Sequence, residues 1–120
     1  MRSEHYAVVE QLTADGGTHF FGNPGTVEQG FLDALGDFPA IDYVLTLQES
    51  VAVMAADAYA RATRRFAVAQ IHSSPGLGNA IGALYQGKRG HSPPSAATPA
   101  SAIRRWRRRW PPISSRWRDP

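Results

Sequence analysis

Chemically useful side chains follow each of the three apolar segments that could form strands. Thr26 comes shortly after the first segment, Glu49 after the second and His72 after the third. A hydroxyl group, a carboxylate and an imidazole could together bind a polar ligand and move protons. Simpler roles stay open on spacing alone. A glutamate in the first turn stabilises the helix dipole, a threonine caps a helix, and a strand-end histidine hydrogen-bonds locally.

Several common site motifs are absent from the chain. It has no cysteine, no GxxxxGK[ST] phosphate loop and no GxSxG nucleophile elbow. The segment 75–79, PGLGN, could bind an anion at a helix N-terminus but lacks GxGxxG spacing. No cluster of histidine, aspartate and glutamate has the spacing of metal ligands, so the sequence predicts no metal site of its own.

Helices and strands alternate along the predicted structure. The predicted elements are a helix over 4–15, a strand over 18–21, a helix over 27–35, a strand over 41–47, a helix over 49–63, a strand over 66–71 and, after a loop over 73–78, a helix over 79–88. This order predicts an α/β fold, an incomplete doubly wound parallel sheet with helices on both faces. Ligands of such sheets bind at the carboxyl ends of the strands, where the three candidate residues should meet.

Charge and composition divide the chain near Pro93. Residues 1–93 carry six basic and nine acidic side chains, a net charge of −3, whereas residues 94–120 carry seven arginines and one aspartate, a net charge of +6. All three tryptophans lie in the second segment. We therefore predict one folded domain over 1–93 and a separate Arg/Pro/Trp-rich tail over 94–120.

Three segments, taken together and in order, resemble the N-terminal, pyrimidine-binding (PYR) domain of thiamine diphosphate-dependent decarboxylases. These are FGNPGTVEQGFLDAL, YVLTLQESVAVMAADAYARAT and HSSPGLGNAIGALY, and the resemblance covers about residues 4–93. By motif the chain is most similar to benzoylformate decarboxylases and next to acetolactate synthases. The resemblance implies a truncated thiamine diphosphate-binding fold and a carbon–carbon lyase activity, the non-oxidative decarboxylation of a 2-oxo acid.

The resemblance also implies roles for single residues. Glu49 matches the glutamate that hydrogen-bonds the pyrimidine N1′ of the cofactor and favours its imino tautomer, and a dry cleft would let this carboxyl group hold a proton. His72 matches a histidine that relays protons to the substrate-derived intermediate, and Thr26 takes the place of a substrate-side hydroxyl. The implied cofactor-binding residues are Asn23, Pro24, Gly25, Glu49 and Asn79.

Two positions depart from the family pattern. Ala58 stands where the family motif ADGYAR has glycine, and Arg64 stands where TGRP has glycine. If either position requires a positive φ, the replacement costs roughly 1 kcal/mol or more.

A larger departure concerns the rest of the family architecture. Relatives hold the diphosphate and Mg²⁺ in a C-terminal domain with a GDG…N motif, which this sequence lacks. Their active sites form between subunits of an oligomer. The resemblance therefore implies half of a thiamine diphosphate site, no Mg²⁺ ligands and no activity of the chain alone.

Residues 94–120 admit three interpretations. RRWRRRW could bind nucleic acid or anionic lipid, which would make the chain a small binding module, or the tail could be a disordered extension. The third interpretation, which we favour, is translation out of frame. The segment 94–98 shows no strand pattern, whereas the family continues at this point with a strand that typically reads LVVTAGQ. When codons are chosen freely for residues 94–120 and translated in a shifted frame, the result can begin LGGDAGQ, which aligns with that family strand without a gap. This interpretation predicts a lost strand and an exposed sheet edge.

Localisation follows from what the sequence lacks. It has no apolar run of about 18 residues and no signal-peptide pattern, so we expect a cytoplasmic protein that neither enters a membrane nor binds a specific nucleic acid.

Overall fold

The computed structural model describes residues 4–89 and 94–97. Their elements are α1 (Glu4–Ala14), β1 (His19–Gly22), a 3₁₀ turn (Thr26–Glu28), α2 (Gln29–Leu35), β2 (Asp42–Leu45), α3 (Glu49–Thr63), β3 (Ala67–Gln70), α4 (Ser73–Arg89) and β4 (Pro94–Ala97). This alternation confirms the predicted α/β class. None of the helices between residues 4 and 89 is long and apolar enough to cross a membrane.

All four described strands run parallel in one sheet of order β2-β1-β3-β4. Gly22 at the end of β1 pairs with Leu45 at the end of β2 and with Gln70 at the end of β3. Because these ends are in register, the loops that follow the three strands emerge along one edge. The predicted parallel sheet is therefore confirmed.

Helices cover both faces of the sheet, as predicted. Phe20 and Val68 lie in the core that α1 and α2 form on one face, and both side chains are fully buried. Phe21 and Ala69, the next residues along each strand, lie in the opposite core with α3 and α4. Successive side chains of a strand point to opposite faces, so one pair of phenylalanines anchors both layers.

The turn after β1 differs from the prediction that Thr26 caps a helix. Gly25 holds the cap position, Thr26 begins the 3₁₀ turn, and α2 starts only at Gln29. The carboxylate of Glu28 accepts a hydrogen bond from the Gly25 N–H over 2.8 Å. Glu28 thus satisfies the backbone N–H of the cap residue, as a glutamate three positions after a cap can do.

Helix α4 begins at Ser73, so the predicted loop over 73–78 is wrong. Ser73 has a φ of 50°, which turns the chain directly from the end of β3 into the helix. Pro75 lies in the first turn, where its missing N–H costs no helical hydrogen bond. The Gly76 N–H donates to the carbonyl of His72 over 3.0 Å. A composition typical of loops is therefore compatible with a helix start.

The prediction that no strand forms after residue 93 is also wrong. β4 pairs with β3 in parallel, with Pro94 opposite Ala67 and Ala97 opposite Gln70, and covers the edge expected to be exposed. Backbone groups form this ladder, so a segment without apolar alternation can complete it, and proline is tolerated at a strand's first residue. Residues 98–120, with the predicted basic-aromatic patch, lie outside the described residues.

The two family departures have different backbone consequences. Arg64 ends α3 in the left-handed conformation with a φ of 59°, so its substitution for glycine carries the expected cost of about 1 kcal/mol. Ala58 lies inside α3 without a positive φ. Alanine is a better helix former than glycine, so no cost arises there.

Candidate functional site

Glu49 is the point at which the loops after three strands meet. It is the first residue of α3, just after β2, and only 4% of its surface is exposed. Asn23, in the loop after β1, donates from Nδ2 to Glu49 Oε1 over 3.4 Å. Asn79 of α4, after β3, donates from Nδ2 to Glu49 Oε2 over 3.1 Å. The structure thus brings together three of the predicted residues, each carried by a different strand.

Hydrogen bonds determine the charge state of Glu49. The amide of Asn79 is the largest cause and lowers the pKa of the carboxyl group below its ordinary value. Burial acts in the opposite direction, and the smaller contributions of Asn23 and the charge of His72 lower the pKa further. Glu49 is therefore ionised at neutral pH. This differs from the expectation that burial would let it hold a proton, because the donors outweigh burial.

The start of α3 also favours a negative charge at this position. Gln48 caps the helix, and its side chain accepts a hydrogen bond from the Ser50 N–H over 2.9 Å. Glu49 follows in the first turn, where the positive end of the helix dipole stabilises a carboxylate. The dipole role and a role in chemistry are therefore compatible at Glu49.

The buried Gly76 gives the Glu49 carboxylate its space. A Cβ atom on Gly76 would lie 2.8 Å from Glu49 Oε1, closer than real Cβ contacts allow, and 3.1 Å from its Cδ, which is tighter than most. A side chain here would displace the carboxylate from its amide donors. The glycine at this position in PGLGN thus permits a close approach of α4 to Glu49.

His72 lies near Glu49, whose pKa its charge lowers, and we call the part of the sheet edge between these two residues the cleft. The turn after β1 holds the imidazole in place. Its Nδ1 lies 2.7 Å from Oε2 of Glu28, a carboxylate that is only 2% exposed, whereas the imidazole is 35% exposed. A Cβ on Gly25 would lie 2.2 Å from Cε1 of the ring, so the Gly25 backbone passes directly against the imidazole. His72 is thus oriented by a hydrogen bond and by backbone contact from one turn.

The remaining predicted residues lie on this turn. Pro24 and Gly25, both half-buried, lead from Asn23 towards His72, and Thr26 is exposed next to them. The structure thus places Thr26 on the His72 side of the cleft.

Glu28 is the residue that the sequence-based prediction missed. The one sequence feature that could have identified Glu28 is its position in the turn after β1, at the same sheet edge as Thr26. Within the segment TVEQGF, however, it resembles an ordinary helical glutamate. The phenol of Tyr43, on β2, donates a hydrogen bond to Oε1 of Gln70, at the end of β3, over 2.7 Å. Burial, and secondarily the charge of Glu28, raise the pKa of Tyr43 well above its ordinary value, so its phenol remains a donor.

Metal ligands do not converge in the described part of the chain. Among residues 4–89 and 94–97, no group of three or more histidine, aspartate or glutamate side chains could hold a metal ion.

The parallel sheet and the polar cleft at its carboxyl edge define an α/β ligand-binding domain. The chain belongs to the thiamine pyrophosphate enzyme family, whose N-terminal TPP binding domain matches residues 5–97. This match confirms the family that the three sequence segments resemble.

Relatives come from two enzyme groups. Benzoylformate decarboxylase of Pseudomonas aeruginosa is 42% identical over 94 residues, which are 78% of this chain and 17% of that protein. The large subunit of acetolactate synthase isozyme 3 of Escherichia coli is 42% identical over 74 residues, 62% of this chain and 13% of that protein. The chain thus spans less than a fifth of the length of these relatives.

Solved structures agree with the fold. The thiamine diphosphate-dependent 4-hydroxybenzoylformate decarboxylase of Rhodococcus jostii superposes with a TM-score of 0.73 at 34% identity, over 87% of this chain and 20% of that one. Benzoylformate decarboxylase of Polynucleobacter necessarius gives a TM-score of 0.72 at 34% identity, over 82% of this chain and 18% of that one.

Proposed function

We propose that this chain supplies the pyrimidine-binding half of a thiamine diphosphate site and that Glu49 is the carboxylate that engages the pyrimidine ring. The observation that carries the proposal is the buried Glu49, held between the amides of Asn23 and Asn79 where three strands end. Membership of the thiamine pyrophosphate enzyme family supports the choice of ligand.

The donor set around Glu49 fits a protonated ring nitrogen. The Asn23 hydrogen bond to Oε1 is 3.4 Å long, at the outer limit for such a bond, so Oε1 can accept a better donor. Asn79 keeps the other oxygen engaged at 3.1 Å and keeps the group ionised. When bound, thiamine diphosphate supplies the carbon nucleophile and the electron sink for decarboxylation. Glu49 supplies a fixed negative charge next to the ring nitrogen.

The other side of the cleft suits the substrate. The imidazole of His72 is 35% exposed and can exchange a proton with a bound group, and Thr26 offers an exposed hydroxyl on the adjacent turn. In this proposal, His72 and Thr26 face the reacting 2-oxo acid, whereas Asn23, Pro24 and Gly25 form the loop against the cofactor.

We infer a benzoylformate decarboxylase-like lyase, because the similarity to that enzyme of P. aeruginosa covers 78% of the chain. An acetolactate synthase-like enzyme is the second candidate, since a relative with that name in Mycobacterium tuberculosis is 41% identical over 72% of the chain. In both cases the diphosphate and Mg²⁺ ligands come from other residues than those described here, in a site between subunits. The 120 residues alone then do not turn over a 2-oxo acid. The out-of-frame origin of residues 94–120 remains a separate prediction, which the sequence of the coding DNA tests.

Calorimetric titration of the chain with thiamine and with thiamine diphosphate tests the half-site. We expect both ligands to bind with similar affinity, because the described residues offer the diphosphate no dedicated ligands. The Glu49→Gln variant should bind thiamine about tenfold more weakly, since a charged hydrogen bond is lost. Glu10→Gln, at an exposed glutamate of α1, is the matched control.

Two results would overturn the proposal. One is thiamine binding that Glu49→Gln leaves unchanged, and the other is turnover of a 2-oxo acid by the purified chain with thiamine diphosphate and Mg²⁺. The two candidate activities separate in chimeras that carry residues 5–97 in place of the matching segment of each relative. A functional benzoylformate decarboxylase chimera beside a dead synthase chimera supports the lyase.

A further inference from the structure

We propose that Glu28 is a positioning residue that holds the proton of His72 on Nδ1 and so presents Nε2 to the cleft. The benefit of presenting Nε2 to the cleft rests on the proposed function of His72. The hydrogen bond between Glu28 and His72 does not depend on that function. Nothing in the sequence motifs assigns a role to Glu28.

The geometry around Glu28 Oε2 favours this role. That oxygen lies 2.7 Å from Nδ1 of His72 and accepts the Gly25 N–H over 2.8 Å. A carboxylate oxygen has no hydrogen to donate, so a hydrogen bond to it requires the proton on Nδ1. The negative charge of Glu28 is felt independently at Tyr43, where it contributes to the raised phenol pKa.

The imidazole ring has little freedom to turn away from this contact. Glu28 holds its Nδ1 edge, and the backbone of Gly25 lies against its atoms, because a Cβ there would come within 2.2 Å of Cε1 and 2.3 Å of Nδ1. With Nδ1 engaged, Nε2 is the nitrogen left for exchange with a ligand. In neutral His72 this nitrogen accepts a proton, and in the charged ring it donates one.

The burial of Glu28 is more than the turn itself requires. The side chain is 2% exposed, and its Oε1 is buried without a hydrogen-bond partner among the described residues. Burying a carboxylate with an unpartnered oxygen is costly, whereas water could satisfy the Gly25 N–H of a surface turn. Such a cost is typical of groups that are placed for chemistry, and the titratable group within hydrogen-bond distance of Glu28 is His72.

The tautomer of His72 in the full 120-residue chain tests the proposal. Two-bond ¹H–¹⁵N correlation spectra distinguish Nδ1–H from Nε2–H in neutral histidines, and His72→Gln assigns the signal among the four histidines of the chain. We expect His72 to be mainly Nδ1–H, opposite to the preference of a free imidazole side chain. A predominant Nε2–H form in the unmodified chain overturns the proposal without any variant of Glu28.

Variants then connect the tautomer to Glu28. Glu28→Met keeps the side-chain length but removes both oxygens, and it should lower the ratio of Nδ1–H to Nε2–H about tenfold or more, as expected for loss of a charged hydrogen bond. Glu10→Met, at an exposed position of α1, should leave the ratio unchanged. A ratio that Glu28→Met does not alter overturns the proposal. If this variant does not fold, the unmodified chain still decides.

The outcome is independent of the test of the proposed function. Thiamine titration reports on Glu49, whereas the tautomer reports on Glu28 and His72 with no ligand present. A chain with the Nδ1–H tautomer that does not bind thiamine keeps this inference and loses the proposed function.

Discussion

The substitution Asn79→Ala isolates the interaction that keeps Glu49 ionised. Asn79 donates to Glu49 Oε2 over 3.1 Å and is the largest cause of the lowered pKa. Without it, a carboxylate that is 4% exposed keeps only the long Asn23 bond from a neighbouring side chain. We expect the variant to fold less stably at neutral pH, because a charge is left buried with one donor fewer.

The size of the loss follows from two opposing contributions. A hydrogen bond to a charged group contributes about 1.5–3 kcal/mol. Alanine is the better helix former, and within α4 it offsets up to about 0.7 kcal/mol of this. The net loss is about 1–2.5 kcal/mol, a 5- to 60-fold decrease in the folding equilibrium constant.

The loss should depend on pH in a defined direction. Because the folded pKa of Glu49 is lowered, its contribution to stability is complete above the ordinary value of 4.5 and is lost as the pH falls through the folded pKa. The difference between the unmodified chain and Asn79→Ala should therefore be largest at neutral pH and shrink below pH 4.5. A structural role of Asn79 unrelated to charge would give a constant difference.

Urea denaturation at a series of pH values, followed by circular dichroism, measures this difference. Gln86→Ala is the matched control, because it removes an exposed amide from the same helix and should cost nothing. Equal stability of Asn79→Ala and Gln86→Ala at neutral pH would refute the assignment. So would a loss of the expected size that persists unchanged in acid.

Three further substitutions test the backbone and the buried phenol. Gly76→Ala places a Cβ 2.8 Å from Glu49 Oε1 and should lower stability by about 1–3 kcal/mol in thermal or urea melts, whereas Gly78→Ala, with open space around its Cβ, should be neutral or stabilising. Arg64→Gly should raise stability by about 1 kcal/mol in the same melts, because Arg64, the residue that caps α3, has a positive φ. Tyr43 has a raised folded pKa, so its contribution to stability is present below pH 10.0 and is lost in stronger alkali as the phenol ionises. Tyr43→Phe should therefore be less stable at neutral pH and lose less stability in alkaline denaturation, and equal pH profiles would contradict this.

The fold could be predicted because its strands and helices carry strong and different patterns. The apolar pair Phe20-Phe21 anchors a core on each face, and the alternation of elements restricts the sheet to parallel pairing. Boundaries were less predictable where backbone geometry outweighs composition. Ser73 starts a helix within a loop-like segment through one left-handed residue. β4 forms at 94–97 because ladder hydrogen bonds require no side-chain pattern.

The site divides in a similar way. Glu49 and Asn23 could be predicted to converge, because the carboxyl ends of parallel strands share one edge, whereas Asn79 entered the prediction only through the family resemblance. Glu28 could not, since its burial and its contact with His72 depend on how the 3₁₀ turn lies against the end of β3. The charge of Glu49 could not be predicted from the sequence either. Burial raises the pKa of Glu49 and amide donors lower it, and only the positions of the donors in the structure show which effect is larger.

The two sides of the cleft differ in how completely the described residues build them. Both oxygens of Glu49 have amide donors, and the side chain is almost fully buried, so this side is preorganised before any ligand binds. On the other side His72 is 35% exposed and Thr26 lies at the surface, so the described residues build no enclosing wall around a substrate there. We infer that recognition of a pyrimidine ring is what these residues can perform by themselves. Under the proposed function, selection among 2-oxo acids would therefore depend on groups outside the described residues, and the chain should bind thiamine equally well with and without a 2-oxo acid present.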